Sequence, residues 1–213
     1  MLTKEEIVKS VPQTGFVGQP KGLFTLFFTE FWERFSYYGM RAILLYYMYD
    51  TVAEGGLGLS QEKALIIMSL YGALIYMSGI IGGWIADRIL GTRKAIFYGG
   101  IMIMFGHIAL SLPGGETALY ASMVLIILGT GLLKPNVSSI VGDLYADNDG
   151  RRDAGFSIFY MGINLGAFTS ALATGAVQQE FGYHPGFLVA AVGMALGLVV
   201  YLWRQKVLGL AGS

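Results

Sequence analysis

Six stretches of mainly apolar residues, at about 22–49, 63–86, 95–112, 117–141, 154–177 and 186–204, dominate the sequence. Each is close to the roughly 20 residues an α-helix needs to cross a bilayer. Hydrocarbon offers no hydrogen-bond partner to a backbone N–H or C=O, so a segment entering it must satisfy those groups internally. The chain is therefore predicted to be an all-α integral membrane protein, a bundle of six transmembrane helices over 22–204. The turn-rich stretches EGGLGLS, LPGGE and FGYHPG separate spans. Composition agrees: mean hydropathy is +0.59, and only 13% of residues are charged where a soluble domain carries about 25%.

Charge outside the spans sets an orientation. Lys4, Lys9, Lys21, Arg88, Arg93, Lys94, Arg151, Arg152, Arg204 and Lys206 fall in the termini and in the connections after the second and fourth spans. The opposite connections hold only Lys63, beside Asp50, Glu54, Glu62, Glu116 and Glu180. By the positive-inside rule both termini are predicted to be cytoplasmic, as an even number of spans requires. Residues 1–21 lack the apolar core of a signal peptide and are expected to be a cytoplasmic tail. Its Ile7, Val8 and Val11 are spaced for a short amphipathic helix on the membrane. Residues 205–213 are expected to be a cytoplasmic end or the start of a linker. Net charge is zero, so nothing suggests a nucleic-acid partner. The absence of cysteine removes disulfides and thiol catalysis. No metal-ligand set, nucleophile with a base, or cofactor loop is present, since GTGLLKP lacks the phosphate-loop pattern; the chain does not read as an enzyme.

The first span is the anomaly. It contains Glu30, Glu33, Arg34 and Arg41 with Tyr37 and Tyr38, and the fourth adds Lys134 before Pro135. A central charge costs about 2.5–3.5 kcal/mol to insert, so five facing lipid would cost on the order of 12–17 kcal/mol, comparable to the whole stability of a typical protein. At about 100° per residue the six polar residues of the first span share an arc of roughly 140°, a stripe about 17 Å long. They are predicted to line one wet face. One reading is a set of ion pairs joining helices, with Glu30 and Arg34 at i,i+4. The other is a substrate or proton path, the default for intramembrane ionisable residues. Three cations against two carboxylates leave one positive charge over, which suits an anionic group such as a carboxylate. Protonating a glutamate enlarges the surplus, so a proton can be coupled to anion binding. Intramembrane charge occurs only in the first helix of each set of three, a hint of 3+3 inverted repeats. His107 is expected to make a buried structural hydrogen bond, and His184 to lie in an outer loop without a specific role.

The segment EFWERFSYYG, Glu30 to Gly39, resembles the first-helix signature E-x-x-E-R-F-x-Y-Y-G of the proton-dependent oligopeptide transporters, a branch of the major facilitator superfamily. GGWIADRILGTRKAI, Gly82 to Ile96, is similar to that family's signature after the second helix. FYMGINLGAF, Phe159 to Phe168, is similar to the one in the fifth, and GTGLLKPNVSSIVGD to the fourth-helix region. The resemblance implies a bacterial-type transporter of the cytoplasmic membrane that takes up di- and tripeptides with protons, with no other cofactor. Glu30, Glu33, Arg34 and Lys134 would couple the proton. Tyr37, Tyr38, Arg41, Tyr71, Lys134 and Asn164 would bind the peptide, and Asp87, Arg88 and Arg93 would form a conformational latch. Family members are about twice as long, so the chain is expected to be the N-terminal half, facing a second six-helix bundle that supplies the carboxylate for the peptide's amino group. Two other functions are open: transport of another small anion such as nitrate, and a scaffold role for a separate membrane partner.

Overall fold

The computed structural model describes residues 3–213. Seven α-helices follow one another: α1 (Lys4–Ser10), α2 (Lys21–Tyr49), α3 (Gln61–Ile85), α4 (Thr92–Ser111), α5 (Gly115–Asp143), α6 (Arg152–Phe181) and α7 (Tyr183–Arg204). The six long helices match the six apolar stretches to within about one turn at each end. Local chemistry sets their limits. Ser60 caps α3 by accepting from the Lys63 N–H at 3.2 Å. α3 then widens into a π turn, Ala86–Leu90, which Gly91 stops with φ 78°. Helices α3 to α7 are each long and apolar enough to cross a membrane. α2 has the length but not the apolarity, because Glu30, Glu33, Arg34 and Arg41 occupy its middle.

α2 packs chiefly on α6 and α7, α5 on α3 and α4, and α4 on α7. This gives two layers, a front of α6, α2, α5 and α3 side by side and a back of α7 and α4. Exchanging α2, α3 and α4 for α5, α6 and α7 preserves the main pairs: α2 with α6 becomes α5 with α3, α2 with α7 becomes α5 with α4, and α4 with α7 is unchanged. The symmetry is incomplete, since α6 packs along α7 whereas α3 meets α4 mainly through its π turn.

Small residues set the spacing of the front layer. Gly162, Gly166, Ser170 and Thr174 recur every fourth residue on the buried face of α6, and α2 lies against them. The Thr174 hydroxyl donates to the Gly39 carbonyl at 3.0 Å. α3 and α5 meet at Gly82, where a Cβ would stand 1.9 Å from the carbonyl oxygen of Gly131. Pro135, four residues on, has no N–H for that carbonyl. The freed oxygen lies against α3, where only the Cα hydrogens of a glycine leave it room.

The terminal segments differ from expectation. The short helix expected near the N-terminus forms, and residues 3–21 pack against the bundle end instead of fraying. A capping box of Thr3 and Glu6 starts α1, the Lys4 ammonium donates to the Gly142 carbonyl at 2.8 Å, Ile7 packs against the core and Val11 is buried. Arg151 donates to Gln13 Oε1 at 2.8 Å and to the Gly18 carbonyl at 2.9 Å. Residues 205–213 fold over the same end, burying Leu208 and Ala211, and the Leu210 N–H donates to Ser10 Oγ at 2.7 Å. One of these contacts gives a partner to a carbonyl at a helix end, that of Gly142 in the last turn of α5. The described terminal segments thus sit at one end of the bundle, with the α3–α4 and α5–α6 connections and ten of the fourteen lysines and arginines.

Overpacking a filled core contact costs about 1–3 kcal/mol. Gly82→Val is therefore expected to lower the thermal midpoint of the detergent-solubilised protein by several degrees. Gly83→Val, with no atom of another helix within 4 Å of its added Cβ, makes the same change in helix propensity and is expected to shift it much less. Equal shifts would show that the α3–α5 crossing does not limit stability.

Candidate functional site

The polar stripe of α2 divides in two. Glu30, Glu33, Arg34 and Tyr37 are 0–5% exposed, while Tyr38 is 37% exposed and Arg41 is open beside Ala42 and Tyr46. The single wet face expected from helical spacing is thus half dry. The reason is packing: α6 reaches the Arg34 side chain at Gly166, and the stripe turns partly into the interior.

Within the buried part, one guanidinium serves two carboxylates. Arg34 donates to Glu33 through both Nε and Nη2, the latter at 2.6 Å to Oε1, the fork geometry for which arginine suits a carboxylate. Its Nε is also 3.5 Å from Glu30 Oε1. The other oxygen of Glu30 is buried and has no hydrogen-bond partner among the described residues. The group is therefore asymmetric: Glu33 is held by two bonds, Glu30 by one long one, and two carboxylates share a single cation. The Arg34 guanidinium lies over the rings of Tyr37 and Tyr38, 5.0 and 5.7 Å from their centroids.

From there the chain of contacts reaches the open surface. Arg41 Nη1 donates to the Tyr37 hydroxyl at 2.9 Å. Among the described residues neither Arg41 nor Lys134 has a carboxylate partner. The Lys134 ammonium stands 5.8 Å from the Tyr76 ring centroid, in a cleft of about 260 Å³ that Ile75, Thr130 and Ser138 also line. Tyr76 and Thr130 were missed in the sequence. Thr130 had a signal, lying one turn before Lys134 on the same face; Tyr76 reads as a packing tyrosine and had none.

The other predicted residues are placed less centrally. Tyr71 is 2% exposed and packs in one cluster with Tyr37; its hydroxyl has no partner. It backs the open face instead of lining it. Asn164 is exposed on α6 and donates to the Tyr160 carbonyl at 3.0 Å, with no hydrogen bond to the α2 group. Asp87, Arg88 and Arg93 are not brought together. Asp87 and Arg88 are exposed and without ion pairs among the described residues, while Arg93 Nε donates to the Ala211 carbonyl at 2.8 Å and its Nη2 to that of Gly209. His107 is fully buried, yet neither ring nitrogen finds the hydrogen bond expected of it. His184 lies in the first turn of α7, not in a loop, with Nδ1 2.9 Å from the Leu110 carbonyl and its ring against Tyr47.

Comparison with known proteins follows this geometry closely. The sequence profile of the POT family (PTR2) matches residues 93–208. An uncharacterized transporter of Bacillus subtilis is 67% identical over all 213 residues, which make up 43% of its length. A di-/tripeptide transporter of Lactococcus lactis subsp. lactis is 57% identical over 192 residues, 89% of this chain and 39% of the relative. Among solved structures, a peptide transporter POT in complex with sulfate superposes on the whole chain with a TM-score of 0.97 at 68% identity, over 43% of its own length. A POT family transporter in complex with 5-aminolevulinic acid gives 0.95 at 56% identity, over 97% of this chain and 42% of that one. The chain thus spans about two fifths of the length of these relatives. With the family profile covering more than half of the chain and the same fold present in close relatives, this chain belongs to the POT family.

Proposed function

We propose that this chain is the N-terminal six-helix bundle, built from 3+3 inverted repeats, of a proton-coupled symporter for di- and tripeptides. The exchange-symmetric helix pairs support the repeats. Crowding of cations at the end that holds both termini supports a cytoplasmic placement of that end in a bacterial inner membrane. The relatives' remaining length is proposed to form a second bundle against the front layer, where α3 and α6 expose Leu70, Tyr76, Leu165 and Phe168. The substrate class rests on the di-/tripeptide transporter at 57% identity, and an oxyanion in a 68% identical relative supports an anion-binding site.

The observation that carries the mechanism is the unpartnered oxygen of Glu30 beside a cation already committed to Glu33. A buried carboxylate without full compensation is the group that takes up a proton at least cost. With Glu30 protonated, Arg34 is balanced by Glu33 alone. Lys134 and Arg41 then present two cations to a peptide carboxylate. Linkage works in both directions: a bound carboxylate favours a proton on the buried group by the same factor. Tyr38 and Asn164 flank this opening, and Tyr37 and Tyr71 brace it from behind.

In liposomes containing the protein with its second bundle, uptake of dialanine is expected to require an inward proton gradient. Glu30→Gln is expected to abolish that gradient-driven uptake while leaving gradient-independent exchange of peptide in place. Accumulation by the Gln variant equal to the parent's would remove Glu30 from the coupling. Arg41→Ala is expected to weaken peptides with a free C-terminal carboxylate roughly ten- to a hundred-fold, the worth of a hydrogen bond to a charged group. Amidated peptides should lose far less; equal losses would make Arg41 a structural residue.

A further inference from the structure

A second cleft, of about 250 Å³, lies on the back layer, away from the polar stripe, where the start of α4 meets the end of α7. Lys94, Phe97 and Tyr98 line it from α4, and Leu202 and Gln205 from the α7 side. Its floor is stitched together. The Tyr201 hydroxyl donates to the Arg93 carbonyl at 3.2 Å, and the Arg93 side chain is held by the Ala211 and Gly209 carbonyls. Arg93 keeps its full charge beneath the cleft, because carbonyls solvate a guanidinium without neutralising it. Lys94 is exposed and has no hydrogen-bond or ion-pair partner among the described residues, and no acidic side chain lines the cleft. Below the two cations the walls become apolar: Tyr98, Phe105, Val199 and Leu202 are exposed on the same two helices. Trp203, 80% exposed, and Tyr98 add exposed aromatic rings, the side chains that favour a membrane–water interface.

We propose that this cleft is a binding site for one anionic phospholipid of the cytoplasmic leaflet. The phosphodiester lies against Lys94 and the Tyr98 hydroxyl above the Arg93 charge, and the acyl chains run along α4 and α7. The assignment rests on the membrane placement proposed above. The occupant follows from complementarity: one held and one unpaired cation, a phenol and no carboxylate select a negative headgroup, and the apolar walls select a molecule with chains over a free anion. The residues that build the floor are the ones that fold 205–213 back onto the bundle, so an occupied cleft also secures the terminal segments.

The test uses native mass spectrometry of the protein in neutral detergent, titrated with dioleoylphosphatidylglycerol, dioleoylphosphatidylcholine or inorganic phosphate. Phosphatidylglycerol is expected to bind at one site at least five-fold more tightly than phosphatidylcholine, and inorganic phosphate is expected not to displace it. Lys94→Gln is expected to weaken phosphatidylglycerol about five-fold, the worth of one cation near an anionic lipid. Gln205→Glu, which puts a carboxylate in the lining, should weaken it further. Arg204→Gln removes a cation from the same end but outside the lining and should leave affinity within two-fold. The proposal is overturned if the two lipids bind alike, if Arg204→Gln costs as much as Lys94→Gln, or if inorganic phosphate displaces the lipid. Failure of transport by the parent protein would sink the symporter reading without touching this result, and the lipid arms would sink this site without touching transport.

Discussion

The buried ion group of Glu30, Glu33 and Arg34 is the constraint around which the bundle is organised. Removing one partner from a buried pair costs about 3–5 kcal/mol, and an unsatisfied buried polar group about 1–3 kcal/mol. α2 cannot carry such a group into a membrane alone, and its middle is not apolar enough to be held there by lipid. It must be wrapped. The fourfold-spaced Gly162, Gly166, Ser170 and Thr174 of α6 let that helix approach α2 closely enough to exclude solvent from Arg34, and α7 closes a further side, with Ser36 Oγ 3.7 Å from the Met194 sulfur.

Wrapping is incomplete in the direction that matters for function. Arg41 and Lys134 stay accessible, one at the open end of the Tyr37 contact and one in the cleft beneath Tyr76. The proposed coupling gives these two parts separate jobs: the dry compartment of α2 takes the proton, and the open one, with Arg41 of α2 and Lys134 of α5, meets the anion. The Tyr37 ring joins them, with the Arg34 guanidinium over its face and Arg41 on its hydroxyl.

Much of this was legible in the chain. Apolar runs located α2 to α7, and the charges inside the first run marked α2 as the unusual one. Spacing alone placed Glu30, Glu33, Arg34 and Arg41 on one arc, and the i,i+4 relation of Glu30 and Arg34 is present. What spacing cannot report is which part of an arc its neighbours cover, and so the dry half was read as wet. The stronger bond, from Arg34 to the adjacent Glu33, also escaped, because adjacent residues on a helix do not face each other and meet here only through a long side chain curling back. The docking of the terminal segments was not legible for a different reason. Their packing depends on long-range partners such as Gly142 for Lys4 and Ser10 for Leu210, which leave no local pattern. The family resemblance implied a latch of Asp87, Arg88 and Arg93, yet Arg93 donates to backbone carbonyls more than a hundred residues away.

The central claim is that a proton on the buried group and a carboxylate at Arg41 and Lys134 favour one another. Calorimetry of dialanine binding near neutral pH, repeated in buffers of different ionisation enthalpy, measures this directly by counting the protons exchanged. The account predicts net proton uptake with peptide in the parent protein, and none in Glu30→Gln. Binding without proton uptake, or uptake of the same size in both proteins, would contradict it.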